Sequence, residues 1–245
     1  MFNNDKIWIT PEKYMAHLLN KTHFLDSFKL LEPVIRAWPN EKILDLGSGY
    51  GWTSVLISKW ANRSEILSTD KDEDLINSDL STVAKSINHE EIFKIKREVA
   101  DFESVGNNYT GKFDIAVAAS SIHHSANLIE DFKSIKNTLK PRGILIIANE
   151  FDISRFDITY VQFLKSIRMA YQNLFTNYSS NEQLIGQGRV RYDSKLGDWF
   201  ICNHYYDYVA RIAGFENKQY LKTKIKPYLK GQPGNIYYLR HIIYW

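Results

Sequence analysis

The stretch Ile43-Leu44-Asp45-Leu46-Gly47-Ser48-Gly49-Tyr50-Gly51-Trp52 constrains the fold of this chain more than any other. A short apolar run ends in glycines at alternate positions, and a helical pattern opens at Trp52. Glycine lacks a Cβ, so such a backbone turns sharply and lets a ligand come close. A strand that feeds a glycine turn and then a helix begins a layered α/β unit. The following residues keep that rhythm. Segments 42–46, 66–69, 92–99, 113–118 and 144–148 read as strands, and 52–60, 72–88 and 128–139 as helices. The alternation predicts a parallel sheet with helices on both faces.

The rhythm breaks near residue 151. Residues 11–38 read as helical before the first strand. Residues 157–180 read as helical and rich in Tyr and Phe, 181–200 as loop, and 204–213 as a helix stopped by Gly214. Two strand-like runs, 216–226 and 236–244, close the chain as an antiparallel pair. The expected organisation is a helical cap (1–38), a ligand-binding α/β core (39–150), a helical insertion or lid (151–200) and a C-terminal helix with edge strands (201–245).

Composition narrows the function classes. Apolar residues make up 44% of the 245, enough for a sizeable core. The net charge of +3, from 31 basic and 28 acidic residues, is too balanced for a nucleic-acid or membrane footprint. A single cysteine, Cys202, allows no disulfide and no cysteine-based zinc site, and no spacing of His with acids demands a metal. The N-terminal MFNNDKIWITPEK has no apolar leader core, and no run approaches a membrane span, so a cytoplasmic location is expected.

The ligand of the glycine turn can be narrowed further. A pyrophosphate prefers Gly-x-Gly-x-x-Gly, and a triphosphate needs a following lysine; neither is present. A nucleoside with an uncharged tail fits better. Asp45, before the first glycine, can receive an ammonium. Asp70, ending the second strand, can accept ribose hydroxyls. Asp101, after the third, can accept an exocyclic amine, with Phe102 against the ring. Each acid alone reads more readily as a solvated loop carboxylate. All three fall at strand C-terminal ends, where open α/β sheets bind ligands.

These residues, with Phe113-Asp114-Ile115-Ala116-Val117, Ser120-Ser121-Ile122-His123-His124 and Leu139-Lys140-Pro141-Arg142-Gly143-Ile144-Leu145, resemble the class I S-adenosylmethionine-dependent methyltransferases, small-molecule branch. Tyr205–Phe215 resembles the late helix of that family. The resemblance implies a Rossmann-like sheet of seven strands with a reversed final strand, and S-adenosylmethionine as cofactor. It implies that Asp45, Gly47, Ser48, Gly49, Tyr50 and Gly51 hold the methionine part. It places Asp70 on the ribose with Lys71 beside it, Asp101 and Phe102 at adenine, and Ser120 along the cofactor cavity. Arg142 stands where the turn more usually has glycine, a change expected to be neutral.

Methyl transfer needs donor and acceptor held close and in line, and a base only where the acceptor must lose a proton. His123 and His124 follow the fourth strand and are the leading base candidates; the competing reading has them capping the next helix. Glu150, ending the fifth strand, is a further base or orienting group. Phe151, Phe156, Tyr160, Phe163, Met169, Tyr171 and Phe175 fit a lid over an apolar or ring-bearing small acceptor. An aromatic stripe at helical spacing more often builds a helix–helix core, or a homodimer face. Lys222, Lys224 and Lys226 read as one solvated face of an edge strand. The expected activity is methylation of O or N on a small molecule. Two rivals are a protein or RNA methyltransferase, which lacks an Asn-Pro-Pro-Tyr/Phe stretch here, and a non-catalytic scaffold, whose glycines and ribose acid would be eroded.

Overall fold

The computed structural model describes residues 10–39, 41–89, 91–153, 189–193, 198–229 and 237–245, with backbone alone for 189–193 and 198–200. In chain order its elements are α1 (Pro11–Lys21), α2 (Phe24–Lys29), α3 (Glu32–Ala37), β1 (Lys42–Leu46), α4 (Trp52–Trp60), β2 (Glu65–Asp70), α5 (Glu73–Ile76), α6 (Leu80–Ser86) and β3 (Ile95–Val99). Then come α7 (Phe102–Asn108), β4 (Phe113–Ala119), a 3-10 turn (Ile122–His124), α8 (Leu128–Thr138), β5 (Leu139–Phe151), β6 (Arg189–Asp193), β7 (Asp198–Ile201), α9 (Asn203–Ile212), β8 (Lys218–Lys222) and β9 (Leu239–Tyr244).

Seven strands form one sheet in the order β3-β2-β1-β4-β5-β9-β8. The first five run parallel, while β9 is antiparallel to both β5 and β8. This is the Rossmann-like sheet with a reversed last strand. All residues of β4 are buried, as a central strand covered on both faces requires, so its sequence shows no alternation. One face packs on α1 to α4 and α6 through Phe28, Trp52, Val55 and Ile57. The other packs on α7, α8 and α9 through Phe132, Ile135, Tyr206 and Val209.

Local chemistry explains where the elements differ from the sequence reading. The first helical region is three helices, beginning at an N-cap in which Thr10 accepts from Lys13 N with Pro11 at the first position. Residues 72–88 form two short helices instead of one. Asp72 and Asp79 each cap the following turn, and the second cap ends the first helix. The third strand starts at Ile95. Helix α8 passes directly into β5, so Pro141-Arg142-Gly143 lie within the strand and not in a turn. Arg142 there takes a φ of +69°, a left-handed conformation costly for any residue with a Cβ, so its replacement of glycine is not neutral.

The segment read as loop contains an antiparallel pair, β6 with β7. The helix expected at 157–180 and the aromatic side chains beyond Phe151 in that segment lie outside the described residues. The three lysines do not share a strand face. Strand β8 ends at Lys222, and Lys224 turns with a φ of +56°. Among the described residues no helix is long and apolar enough to cross a membrane.

The N-terminal helices are tied to the sheet by directional bonds as well as packing. The Asn149 side chain donates to Phe24 O at 3.0 Å, and His241 on β9 bonds Ser27 O at 2.9 Å. Burial holds His241 down to about 4, so it stays neutral and its Nδ1 accepts from Asn149 N.

Candidate active site

Two assemblies stand at the C-terminal ends of the parallel strands. The first is the glycine turn after β1. Gly47, Gly49 and Gly51 all take positive φ, at +62°, +55° and +89°. The reasons differ. A Cβ on Gly47 would lie 2.6 Å from Ser121 Cβ, because the end of β4 crosses there. A Cβ on Gly49 would meet nothing within 4 Å, so its backbone faces open space and only the dihedral demands glycine.

The turn is held from below. Asp70 accepts from Gly49 N at 2.9 Å with one oxygen and from Asp72 N at 3.0 Å with the other. Arg97, on β3, donates to Gly49 O and Leu75 O, both at 2.8 Å, and to Ser78 O at 2.9 Å. The carbonyls of Leu75 and Ser78 are within its reach because the helix breaks there. Asp45 is fully buried at the end of β1. Its Oδ2 accepts from Thr53 Oγ1 and Ser54 Oγ, each at 2.5 Å, while Oδ1 has no partner. Burial pushes this carboxyl up to about 6, against the two hydroxyl bonds that favour its charge.

Tyr50 is buried and packs on Tyr14 of α1 at 5.1 Å between ring centroids. Trp52 donates to the Tyr14 hydroxyl, so α1 closes one side of the turn. Ser48 is buried and accepts from Ser68 Oγ at 2.7 Å. Lys71 is exposed. Asp101 is exposed and caps α7 by accepting from Ser104 N at 2.8 Å, which holds its carboxyl below the usual range. The Phe102 ring comes within 3.5 Å of the Cβ position of Gly47. Ser120, with a φ of +51°, has a buried hydroxyl without a partner. Asn149 beside it on β5 has a φ of +58° and an unpaired, buried Oδ1. Two non-glycine residues in left-handed backbone thus form a rim on adjacent strand ends.

The second assembly stands beside that rim. The 3-10 turn after β4 carries His123 and His124. Ser121 fixes its entry by donating to Leu46 O at 2.8 Å, and Ser125 fixes its exit by donating to Asp131 at 2.5 Å. His123 Nδ1 lies 3.0 and 3.2 Å from the two oxygens of Glu150, whose side chain is only 4% exposed. The Tyr206 hydroxyl donates to Glu150 Oε2 at 2.9 Å. An ionised Glu150 can only accept, so in that state Nδ1 carries the proton of this bond. His124 is exposed and packs its ring on His123 at 4.4 Å. His123 and Glu150 are thus brought together, and His124 stands outside the pair.

Sequence reasoning missed Thr53, Ser54, Arg97, Tyr206 and Arg240. The hydroxyls at the start of α4 are too common there to stand out. Arg97 sits in a weak strand run with other charges. Arg240 did carry a signal: with His241 it interrupts the apolar run Tyr237–Trp245.

Residues 38–214 match the methyltransferase domain family, and the chain belongs to it. It has the class I fold, and its cofactor is S-adenosylmethionine. Solved structures agree in fold. YcgJ from Bacillus subtilis superposes with a TM-score of 0.54 at 14% identity, over 82% of this chain and 74% of that one. Human N-acetylserotonin methyltransferase, solved with S-adenosylmethionine, gives 0.58 at 16% identity, over 95% of this chain and 55% of that one. The CMeT domain of the citrinin polyketide synthase gives 0.55 at 19%, over 90% and 51%. The chain therefore spans about half the length of the last two. No curated protein matches it by sequence.

Proposed function

We propose that this methyltransferase methylates a protic oxygen or nitrogen of a small, ring-bearing molecule, with His123 as general base. The observation that carries the reading is the His123–Glu150–Tyr206 chain. A buried carboxylate on Nδ1 fixes the imidazole tautomer and leaves Nε2 to take a proton from an acceptor hydroxyl or amine. A non-protic acceptor would need no such group.

The cofactor side of the proposal rests on groups that fit it. Asp45 Oδ1, unpaired and buried, suits an ammonium. The open face over Gly49 admits a ligand against the backbone. The second lone pairs of Asp70 suit ribose hydroxyls, and Phe102 suits a flat base. Asp101 has acceptor capacity beyond its cap. Ser48, Tyr50, Gly47 and Gly51 shape the turn, while Lys71 and Ser120 border it. When bound, S-adenosylmethionine supplies an electrophilic methyl on a neutral leaving group. The protein then has only to align the acceptor, exclude water and receive a proton.

For the acceptor, Phe24 and Tyr228 meet edge-on at 5.7 Å, and Phe151 and Tyr237 lie 6.2 Å apart; both pairs belong to segments around the ends of β5 and β9. Such walls favour an apolar or aromatic partner. We place the lid within 151–200, between the core (39–150) and the C-terminal unit (201–245), with 1–38 as the cap. A cytoplasmic biosynthetic role accords with these features. The test is transfer of a labelled methyl from S-adenosylmethionine to a panel of phenols, aryl amines and their methyl ethers. Labelling of phenols or amines by the wild type, lost in His123→Gln, supports the reading. Equal labelling by both proteins overturns the base.

A further inference from the structure

A histidine bonded to a buried carboxylate has an obvious electrostatic difficulty. The carboxylate stabilises the imidazolium, so the pair tends to hold its proton at neutral pH, where a base must have released it. The molecule contains a group suited to correct this. Arg240, on β9, lies directly across from Glu150 in the β5–β9 register, and its side chain is fully buried. Directly paired positions on an antiparallel sheet share a face. Its Nε donates to Phe151 O at 3.1 Å. Its two terminal nitrogens have no hydrogen-bond partner. The guanidinium lies over the Tyr206 ring at 5.3 Å and the Tyr220 ring at 5.9 Å.

A buried guanidinium without a bonded carboxylate is costly and calls for an explanation. The other acids nearby do not use it. Asp152 lies 3.7 Å from Lys222 and accepts from Asn203 at 2.6 Å. Asp207 pairs with Lys218 and accepts from Tyr244 at 3.1 Å. Each of these acids has a lysine of its own on β8. Among the described residues Glu150 is bonded by His123 and the Tyr206 hydroxyl, and Tyr206 is the residue on which Arg240 is stacked. Burial and Glu150 together keep Tyr206 well above its ordinary range, so it remains a hydroxyl donor.

The geometry points to Arg240 and Tyr206 as positioning residues that lower the proton affinity of the His123–Glu150 pair. Arg240 supplies a fixed positive charge on the sheet face that carries the carboxylate, and Tyr206 a hydrogen bond to it. Both weaken the hold of Glu150 on the imidazolium, so His123 gives up its second proton at a lower pH. Among the described residues, the charged and titratable groups on the elements around the pair are His124 on the turn, Asp152 on β5, Asp198 on β7, which packs on that turn, Tyr206 and Asp207 on α9, Tyr220, Lys218 and Lys222 on β8, and Arg240 on β9. Only Arg240 among them is both cationic and buried. The proposal rests on His123 as the base.

The test follows the His123 ring by NMR titration of the whole protein without acceptor, with its resonance among the seven histidines assigned through His123→Gln. Arg240→Met removes the charge and keeps an apolar filling. It should raise the midpoint by about one pH unit, the usual size of a single near-charge effect. Arg240→Lys should bring most of that shift back. Tyr206→Phe should raise the midpoint by a smaller amount. A folded Arg240→Met protein with an unmoved midpoint overturns the proposal, because a merely structural arginine would change stability alone. Should that variant not fold, Tyr206→Phe decides, and an unmoved midpoint there overturns it equally. Methyl transfer is not read in this experiment. Titration as described in an enzyme whose His123→Gln variant stays active would refute the base and leave the electrostatic role standing.

Discussion

The glycine turn and the His123 turn stand side by side on adjacent strands, yet they are built in opposite ways. The glycine turn is local. Its strand, three glycines and capping helix lie within Lys42–Trp60, and its main outside supports are Asp70 and Arg97. The His123 turn is assembled from afar. Its carboxylate comes from β5, its hydroxyl from α9 and its cation from β9. On the proposed reading, a cofactor shared by a whole family falls to the local motif, and proton handling, which depends on the acceptor, falls to groups distant in sequence. The two parts meet where Ser121 packs on Gly47 and bonds Leu46 O.

That division predicts separable losses. The largest effect is expected from His123→Gln, which should lower turnover by about 10²–10⁴-fold, the range for a lost general base. Calorimetric affinity for S-adenosylmethionine should stay at the wild-type value. A parallel collapse of affinity would mean that the two parts are one. Next comes Gly47→Ala. Its Cβ would sit 2.6 Å from Ser121 in left-handed backbone. It should cost about 2–4 kcal/mol in denaturant unfolding. Gly49→Ala pays only for its dihedral and should cost about 1 kcal/mol. Equal costs would show that β4 does not press on the turn.

Asp45 sharpens the comparison through pH. Its carboxyl is pushed up to about 6 by burial, so it gains a proton as the pH falls past that value. S-adenosylmethionine should therefore bind more weakly below pH 6 than above it. Asp45→Asn should weaken binding by ~10-fold at pH 7.5 and flatten the profile. A sloping profile retained in Asp45→Asn would move the titration elsewhere. The sign for stability is opposite. With its folded value above the unfolded one, Asp45 favours the cofactor-free fold at low pH, and that contribution is lost as pH rises through about 6. The smallest effect is expected at Arg142, far from both assemblies. Arg142→Gly relieves left-handed strain and should stabilise the protein by about 0.5–1 kcal/mol, less the added freedom of the unfolded chain. Unfolding midpoints would show it, with methyl transfer unchanged.

Much of this was legible in the chain itself. The five parallel strands, the glycine turn and the acids at strand ends follow from periodicities and residue types that act over a few positions. Helix breaks at Asp79 and strand continuation through Pro141 were not, because a single cap or a neighbouring strand decides them. His123 and Glu150 were both visible as candidates. Their pairing was not, since nothing in the spacing of residues 123 and 150 says that β4 and β5 end side by side.

The sequence by itself determined the sheet, the family and the cofactor turn, because each depends on short-range rules of backbone freedom and apolar patterning. The tertiary structure alone decided that His123 pairs with Glu150 and that Arg240 lies across from that carboxylate. It also decided that Asp45 is buried enough to titrate near neutral pH. Charge interactions depend on distance and burial in space, and separation along the chain encodes neither.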